Sequence, residues 1–415
     1  MIPKGERGRV VWLSVFAAAI GASMTWIEAV AAAVFVARYN ADAYATVAML
    51  GAMAVPASGV GLALVQRRLP VITGWLLGLA GLIVSVGGCG ALLAWTDLRW
   101  PALAAMVLAE LAWAWLYIVF WGLAGSVFDE RQAARWFGPL GAVETAAALG
   151  AGLTIAPGVR FVPLAGLLGM AAFGVVVSMV CVLALRDDLR PGVAAPEPAR
   201  LSLHRDAYAW TLFAMMATAI LIRDFSAYLG FFALDARFGD NETALAAFFG
   251  PIAAAQQALI LFGRGVIAAP LLQRFGSGPG LTMLPASFLA VAPVVTVLIA
   301  IWPGAPVTFW LAVLLVPLFH VLWDAGTEPT YYVVHQPLGD ARRLTVQHLT
   351  QTVVEPAARG LAGLVLGGIA LAGGTPSTRA LGAAGVLLLV ALGAFGVAHR
   401  LVRYADGVRH NPVLK

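Results

Sequence analysis

The 415-residue chain is 61% hydrophobic and 11% charged, whereas ordinary soluble domains carry roughly a quarter charged residues, so a water-soluble globular protein is excluded. Cys89 and Cys181 fall in apolar stretches at no metal or redox spacing, and there is no phosphate loop, paired-histidine zinc motif or nucleophile elbow, so no enzyme, metal or cofactor is called for. The formal net charge of +5 would suit nucleic acid, but the basic residues sort by loop in a way that gives them a topological meaning instead.

A helix needs about 20 apolar residues to cross a bilayer. Twelve such stretches follow one another, at 10–37, 42–66, 71–96, 101–126, 138–157, 162–186, 208–234, 243–272, 281–302, 306–334, 348–373 and 380–399. The first follows MIPKGERGRV, and its one A-x-A-like match, Ala17 to Ala19, lies inside the apolar run, so it reads as a retained helix and not a signal peptide. It carries Glu28. Span four carries Glu110 with Trp113, Tyr117 and Trp121 at four-residue steps. A short turn with Asp129, Glu130, Arg131 and Arg135 leads into span five, which holds Glu144. After span six, 187–207 is polar and broken by Pro191, Pro196 and Pro198, and reads as a cytoplasmic linker between six-span bundles at 1–186 and 208–415. Arg223 and Asp224 lie in span seven, Arg264 in span eight, and His320, Asp324 and Glu328 in span ten. Asp340 and Arg342 precede span eleven, which contains Glu355 and Arg359.

The second half repeats the first. Asp129, Arg131, Glu144, Gly152 and Leu153 are answered by Asp340, Arg342, Glu355, Gly363 and Leu364, each pair 211 residues apart. With the N-terminus inside, eighteen basic residues fall at cytoplasmic ends and loops and five at outer ones (Arg38, Arg99, Arg160, Arg237 and Arg379), which predicts both termini in the cytoplasm. Spans three, six, nine and twelve hold no charge between their ends. The pattern predicts an all-α integral membrane fold of twelve transmembrane helices in two pseudo-symmetric six-helix bundles, of the major facilitator type, with those four spans facing lipid.

The segment SVFDERQAARWFGPLGAVETAAALGAG resembles the nucleotide transporter (ATP:ADP antiporter) family and its bacterial relatives within the major facilitator clan. LIRDFSAYLGFFALDARFGDNETALAAFFGP and EPTYYVVHQPLGDARRLTVQHLTQTVVEPAARGLAG resemble the same family. The resemblance implies secondary transport and, for its best-known members, nucleotide exchange; those exchangers carry basic residues in the first span, where this chain has Glu28.

An ionisable group in hydrocarbon is expected to face protein or water and to work there. Counted by depth, Glu110, Arg223, Asp224 and Arg359 form a set near the midplane, with Glu28 nearer the outer face and Trp113 and Tyr117 beside Glu110. Burying a carboxylate favours its protonated form, so Glu110 and Asp224 are candidate proton carriers; the alternative is a permanent ion pair with Arg223 or Arg359. Glu144 and Glu355 are shallower and suit an inner gate with Asp129, Arg131, Asp340 and Arg342. His320, Asp324 and Glu328, four residues apart, share one face and suit either a proton relay or ordinary solvated structure.

Setting aside the shallow Glu328, six acids (Glu28, Glu110, Glu144, Asp224, Asp324, Glu355) face three bases (Arg223, Arg264, Arg359). That balance favours a neutral, zwitterionic or cationic solute over a polyanion. The expectation is a monomeric, proton-coupled secondary transporter of a small organic or amphiphilic solute in a bacterial inner membrane. Nucleotide or related anion exchange is the alternative, and a non-transporting scaffold, sensor or lipid-handling protein a second one.

Overall fold

The computed structural model describes residues 6–189, 206–336, 338 and 340–410. Among these there is no strand, and twelve helices are long and apolar enough to cross a membrane. In chain order they are α1 (Arg7–Arg38), α2 (Tyr44–Gln66), α3 (Val71–Trp95), α4 (Trp100–Val127), α5 (Glu130–Gly158), α6 (Leu164–Ala184) and α7 (Ala207–Phe238). Next come α8, running from Glu242–Phe262 through a π-helical turn at Gly263–Ala268, and α9 (Ser277–Ile301). In α10 a π turn at Trp323–Thr327 joins Pro306–Leu322 to Glu328–Val333, and in α11 one at Thr350–Val354 joins Asp340–Leu349 to Glu355–Leu371. α12 is Pro376–His410. Most of the linker read at 187–207 lies outside the described residues.

The helices match the apolar stretches one for one, and their ends differ where capping or charge extends them. α5 starts at Glu130, eight residues before its apolar stretch, because Asp129 accepts a bond from the backbone N–H of Gln132 (2.8 Å) while the Gln132 side chain accepts from the Asp129 N–H (3.1 Å), a capping box that satisfies two otherwise orphaned donors. α12 runs eleven residues past the expected end at 399, to His410. Hydropathy measures the length in hydrocarbon, and the helix continues into water as long as its backbone is bonded.

Two compact units emerge. One holds α1, α2 from Ala57, α3 to α6, and Asp240–Leu261 of α8; the other holds Asn40–Pro56, α7, and the chain from Phe262. The packing within them obeys the repeat. In the first, α1 packs on α4, α5 and α6, and α3 on α4 and α6; in the second, α7 packs on α10, α11 and α12, and α9 on α10 and α12. α1 and α7 are the central helices, burying 56% and 61% of their most apolar windows. Leu13, Phe16 and Ile20 of α1 are buried, with Phe16 edge-on to Phe120 of α4 at 5.4 Å. Leu212 and Met215 of α7 pack with Leu281, Tyr331 and Leu401 in the second core.

Why each unit captures half of a helix is legible at two glycines. Lipid tails offer no hydrophobic drive to bring helices together, so close approach depends on small residues. A Cβ on Gly152 of α5 would stand 2.8 Å from the backbone N of Ala254 and 3.0 Å from the Gly250 carbonyl of α8. A Cβ on Gly363 of α11 would stand 2.9 Å from the Ala45 carbonyl and 3.0 Å from the Met49 N of α2. These are repeat mates, 211 residues apart, and each makes the same kind of crossing for its own unit.

Candidate functional site

The second unit brings Arg223, Asp224 and Arg359 together. Asp224 sits mid-helix in α7 and is wholly buried (0% exposed). Its Oδ1 accepts from the Tyr44 hydroxyl at 3.1 Å and from the Arg223 guanidinium at 3.3 Å. On its other side Arg359 of α11, also buried, places Nε 3.6 Å from Oδ2, an ion pair wider than a hydrogen bond. Two cations and a hydroxyl thus surround one carboxylate that has no access to water. A buried carboxylate and a buried guanidinium are tolerable here because each compensates the other, and Arg223 and Tyr44 add to the compensation of Asp224.

A second carboxylate continues this arrangement. Asp42, in the single turn Ala41–Ala43 before α2, accepts from the Tyr228 hydroxyl of α7 at 2.9 Å and pairs with Arg379 of α12 at 2.5 Å. Tyr228 is one helical turn beyond Asp224, so Asp42 and Tyr44 tie the start of α2 to successive turns of α7. Sequence reasoning missed Asp42, Tyr44, Tyr228 and Arg379. Their separations of 180 and 186 residues leave no local signal, and Arg379 read only as an outer-loop charge.

Farther along α8 and α10 the ionisable residues fall at the π turns. Arg264, in the π turn of α8, donates Nε to the Asp324 carbonyl at 3.0 Å and places Nη2 3.8 Å from Glu328 Oε2. Asp324 lies in the π turn of α10, with His320 Nδ1 3.8 Å from its carboxylate. Glu355 directly follows the π turn of α11. Single π turns recur at functional sites because they free a backbone carbonyl and re-aim a side chain; the Asp324 carbonyl, taken by Arg264, is such a case. Of the three residues predicted to share a face on α10, Asp324 and Glu328 are therefore joined by an arginine from α8, and His320 meets Asp324 directly.

In the first unit, Tyr117 stacks on Trp113 (4.9 Å between ring centres) and donates its hydroxyl to the Glu144 carboxylate. The reading that set Tyr117 with a solute site and Glu144 with a gate thus concerns two residues in direct contact. Glu144 is half-buried, and its backbone carbonyl abuts Gly21 of α1, where any Cβ would overlap it. Glu110 is half-buried on α4, while Glu28 is exposed on α1.

Among the inner-gate candidates, Asp129 caps α5 as described, Arg131 is exposed, and Arg342 pairs with Asp206, the residue that also caps α7 through the Ala209 N–H. The Asp340 side chain lies outside the described residues. An acid before the first helix of the first unit makes an analogous tie, since Glu6 accepts from Gln132 Nε2 (3.1 Å) and Trp136 Nε1 (3.0 Å) of α5.

Twelve apolar helices built on this repeat, with the buried Asp224 on the central α7 paired to the buried Arg359 on α11, define an integral membrane protein with the twelve-helix fold of major facilitator transporters. By sequence the chain matches no family model and no curated protein. Solved structures similar to it are the nucleoside transporter NupG (TM-score 0.58, 14% identity, 94% of this chain and 98% of that one), a bacterial homolog of the human lysosomal transporter Spinster (0.56, 16%, 98% and 96%), and an auto-inhibited peptide transporter of the POT family (0.63, 15%, 95% and 96%). At these identities the likeness is one of fold.

Proposed function

We propose that the protein is a proton-coupled secondary transporter that moves a small organic or amphiphilic solute by alternating access, as a monomer in a bacterial cytoplasmic membrane with both termini inside. Asp224 carries this reading. A protein that only had to stand in the bilayer gains nothing from clustering Arg223, Asp224 and Arg359 in mid-helix, where each charge costs roughly 2.5–3.5 kcal/mol to insert. The same cluster suits a carrier, because adding a proton to Asp224 removes the charge that holds Arg223 and Arg359 and frees them for a solute. Glu110, beside Trp113 and Tyr117 on α4, is the second proton acceptor. The nucleoside and peptide cargoes named for similar structures support a small solute.

Glu144 and Glu355, with Asp129, Arg131, Asp340 and Arg342, belong to an inner gate in this reading. The ties from Glu6 and Asp206 to the starts of α5 and α11 support it, since they fix those helices where a gate would hinge.

Nucleotide or related anion exchange is the second reading, favoured by the three family-like segments and by the two arginines at Asp224. The excess of acids over bases favours the first. Proteoliposome flux separates them. The expected result is solute uptake that depends on the pH gradient and is lost in Glu110→Gln and Asp224→Asn, with no saturable ATP/ADP exchange. Counter-exchange of ATP and ADP abolished by Arg359→Ala establishes the second reading instead, and absence of any solute flux leaves the scaffold or sensor.

A further inference from the structure

Two grooves, of about 360 and 270 Å³, adjoin on the inner ends of α12 and α7 and share Val397 and Arg400. The first is lined by His399 and Arg403 over Gly393 and Gly396. The second runs from Arg400 to Trp210 and Tyr404. We infer that these grooves hold the headgroup of an anionic phospholipid, with its phosphate between Arg400, Arg403 and His399.

Charge, shape and depth support this occupant independently. His399 and Arg403 are four residues apart on one helix face, and Arg400, about 100° round the helix, reaches into both grooves. Among the described lining residues there is no carboxylate; Asp206, just before the groove wall at Ala207, is engaged by Arg342 and the Ala209 N–H. Basic pockets between transmembrane helices at headgroup level are suited to phospholipid headgroups, and guanidinium groups bind phosphate in bidentate fashion.

The shape comes from Gly393 and Gly396, one turn below the basic residues, where a Cβ would meet nothing within 4 Å. They leave a hollow on the helix face between the basic residues and Leu389 and Leu392. Leu389, Leu392 and Phe395, 69%, 60% and 39% exposed, continue the same helix away from the basic end as an apolar track for acyl chains. Trp210, 56% exposed at the start of α7, takes the interfacial place that indole rings favour. A free phosphate would use the arginines but leave the apolar track idle, and that commits the site to a lipid.

The test reconstitutes the full chain in phosphatidylcholine vesicles that contain phosphatidylglycerol brominated on its acyl chains. Quenching assigned to Trp210 is the difference from Trp210→Phe. Brominated phosphatidylglycerol is expected to quench Trp210 more than brominated phosphatidylcholine at equal fraction. That preference should fall about fivefold for each of Arg400→Gln and Arg403→Gln, the factor for one cation near an anionic surface. Gly396→Leu, which fills the hollow and keeps every charge, should lower it too, whereas Arg67→Gln/Arg186→Gln, exposed elsewhere, should leave it unchanged. The site is overturned if the preference survives Arg400→Gln/Arg403→Gln and Gly396→Leu, or if the Arg67→Gln/Arg186→Gln control loses it equally, the mark of general surface charge. Abolition by millimolar inorganic phosphate assigns the grooves to a soluble anion instead.

Discussion

Asp224 and Arg359 are each expensive to bury and tolerable together. Arg359→Ala should therefore lower stability, by less than the roughly 3–5 kcal/mol of a fully orphaned buried charge because Arg223 and Tyr44 still face Asp224. The loss is read as a fall in thermal unfolding temperature in detergent, and Asp224→Asn combined with Arg359→Gln should recover most of it. Equal destabilisation by the single and the double change would mean that packing, not charge, holds the pair. His335 gives a prediction in pH. It is fully buried just past α10, and its Nδ1 lies 2.7 Å from the Tyr331 carbonyl, which only accepts, so Nδ1 carries the proton. Burial, aided by the charge of Arg343, holds its pKa below the ordinary 6.5. The unfolded chain then binds a proton that the folded one refuses, so stability rises with pH up to about 6.5 and is level above it. His335→Gln should flatten that slope in pH-dependent melting curves. Of these residues, Asp224 and Arg359 were legible as charges out of place in apolar runs. His335 lies in a polar loop, and Tyr44 is an unremarkable tyrosine at a helix start; only the assembled structure shows what each meets.

Helices were legible almost to their ends, because hydropathy follows the energy that decides where a chain enters lipid. The exceptions, at the starts of α5 and α11 and the end of α12, lie where polar turns carry the helix beyond the apolar stretch. What the helices pack against was legible only through the repeat. Gly152 and Gly363 were noticed as mates, but their roles as crossing points of α5 with α8 and of α11 with α2 depend on contacts far apart in the chain. Gly363→Leu should cost about 1–3 kcal/mol by overpacking and Gly152→Leu a similar amount, whereas Gly368→Leu, where a Cβ would meet nothing within 4 Å, should be neutral in the same melting assay. The start of α2 is held by Tyr44 on Asp224 and by Asp42 on Tyr228 and Arg379. If these bonds close the outer side of the transport path, Tyr44→Phe with Asp42→Asn should increase labelling of a cysteine at Ala41 by an impermeant reagent. Unchanged labelling would make them plain fasteners.

Across the whole chain, twelve spans and an internal repeat were readable because membrane insertion imposes a coarse, strong pattern on sequence. Cargo was not, since a cavity is defined by side chains from helices that sequence cannot bring together. The basic-residue asymmetry still makes an independent statement: cysteines at Arg99 and Arg237 should react from outside in intact cells, and one at Arg131 only after permeabilisation. The reverse would turn the molecule over. The sharing of α2 between two units also bears on how the protein is made. Asn40–Pro56 leaves the ribosome long before Asp224, Gly363 and Arg379 exist, so during synthesis this segment must wait in the membrane with its final neighbours untranslated, and Tyr44 and Asp42 must find interim partners in lipid headgroups, in water or in the insertion machinery. A chain stalled after α6 should leave Ala41–Pro56 open to protease or thiol reagents, and protection should arrive only once α11 and α12 have been released.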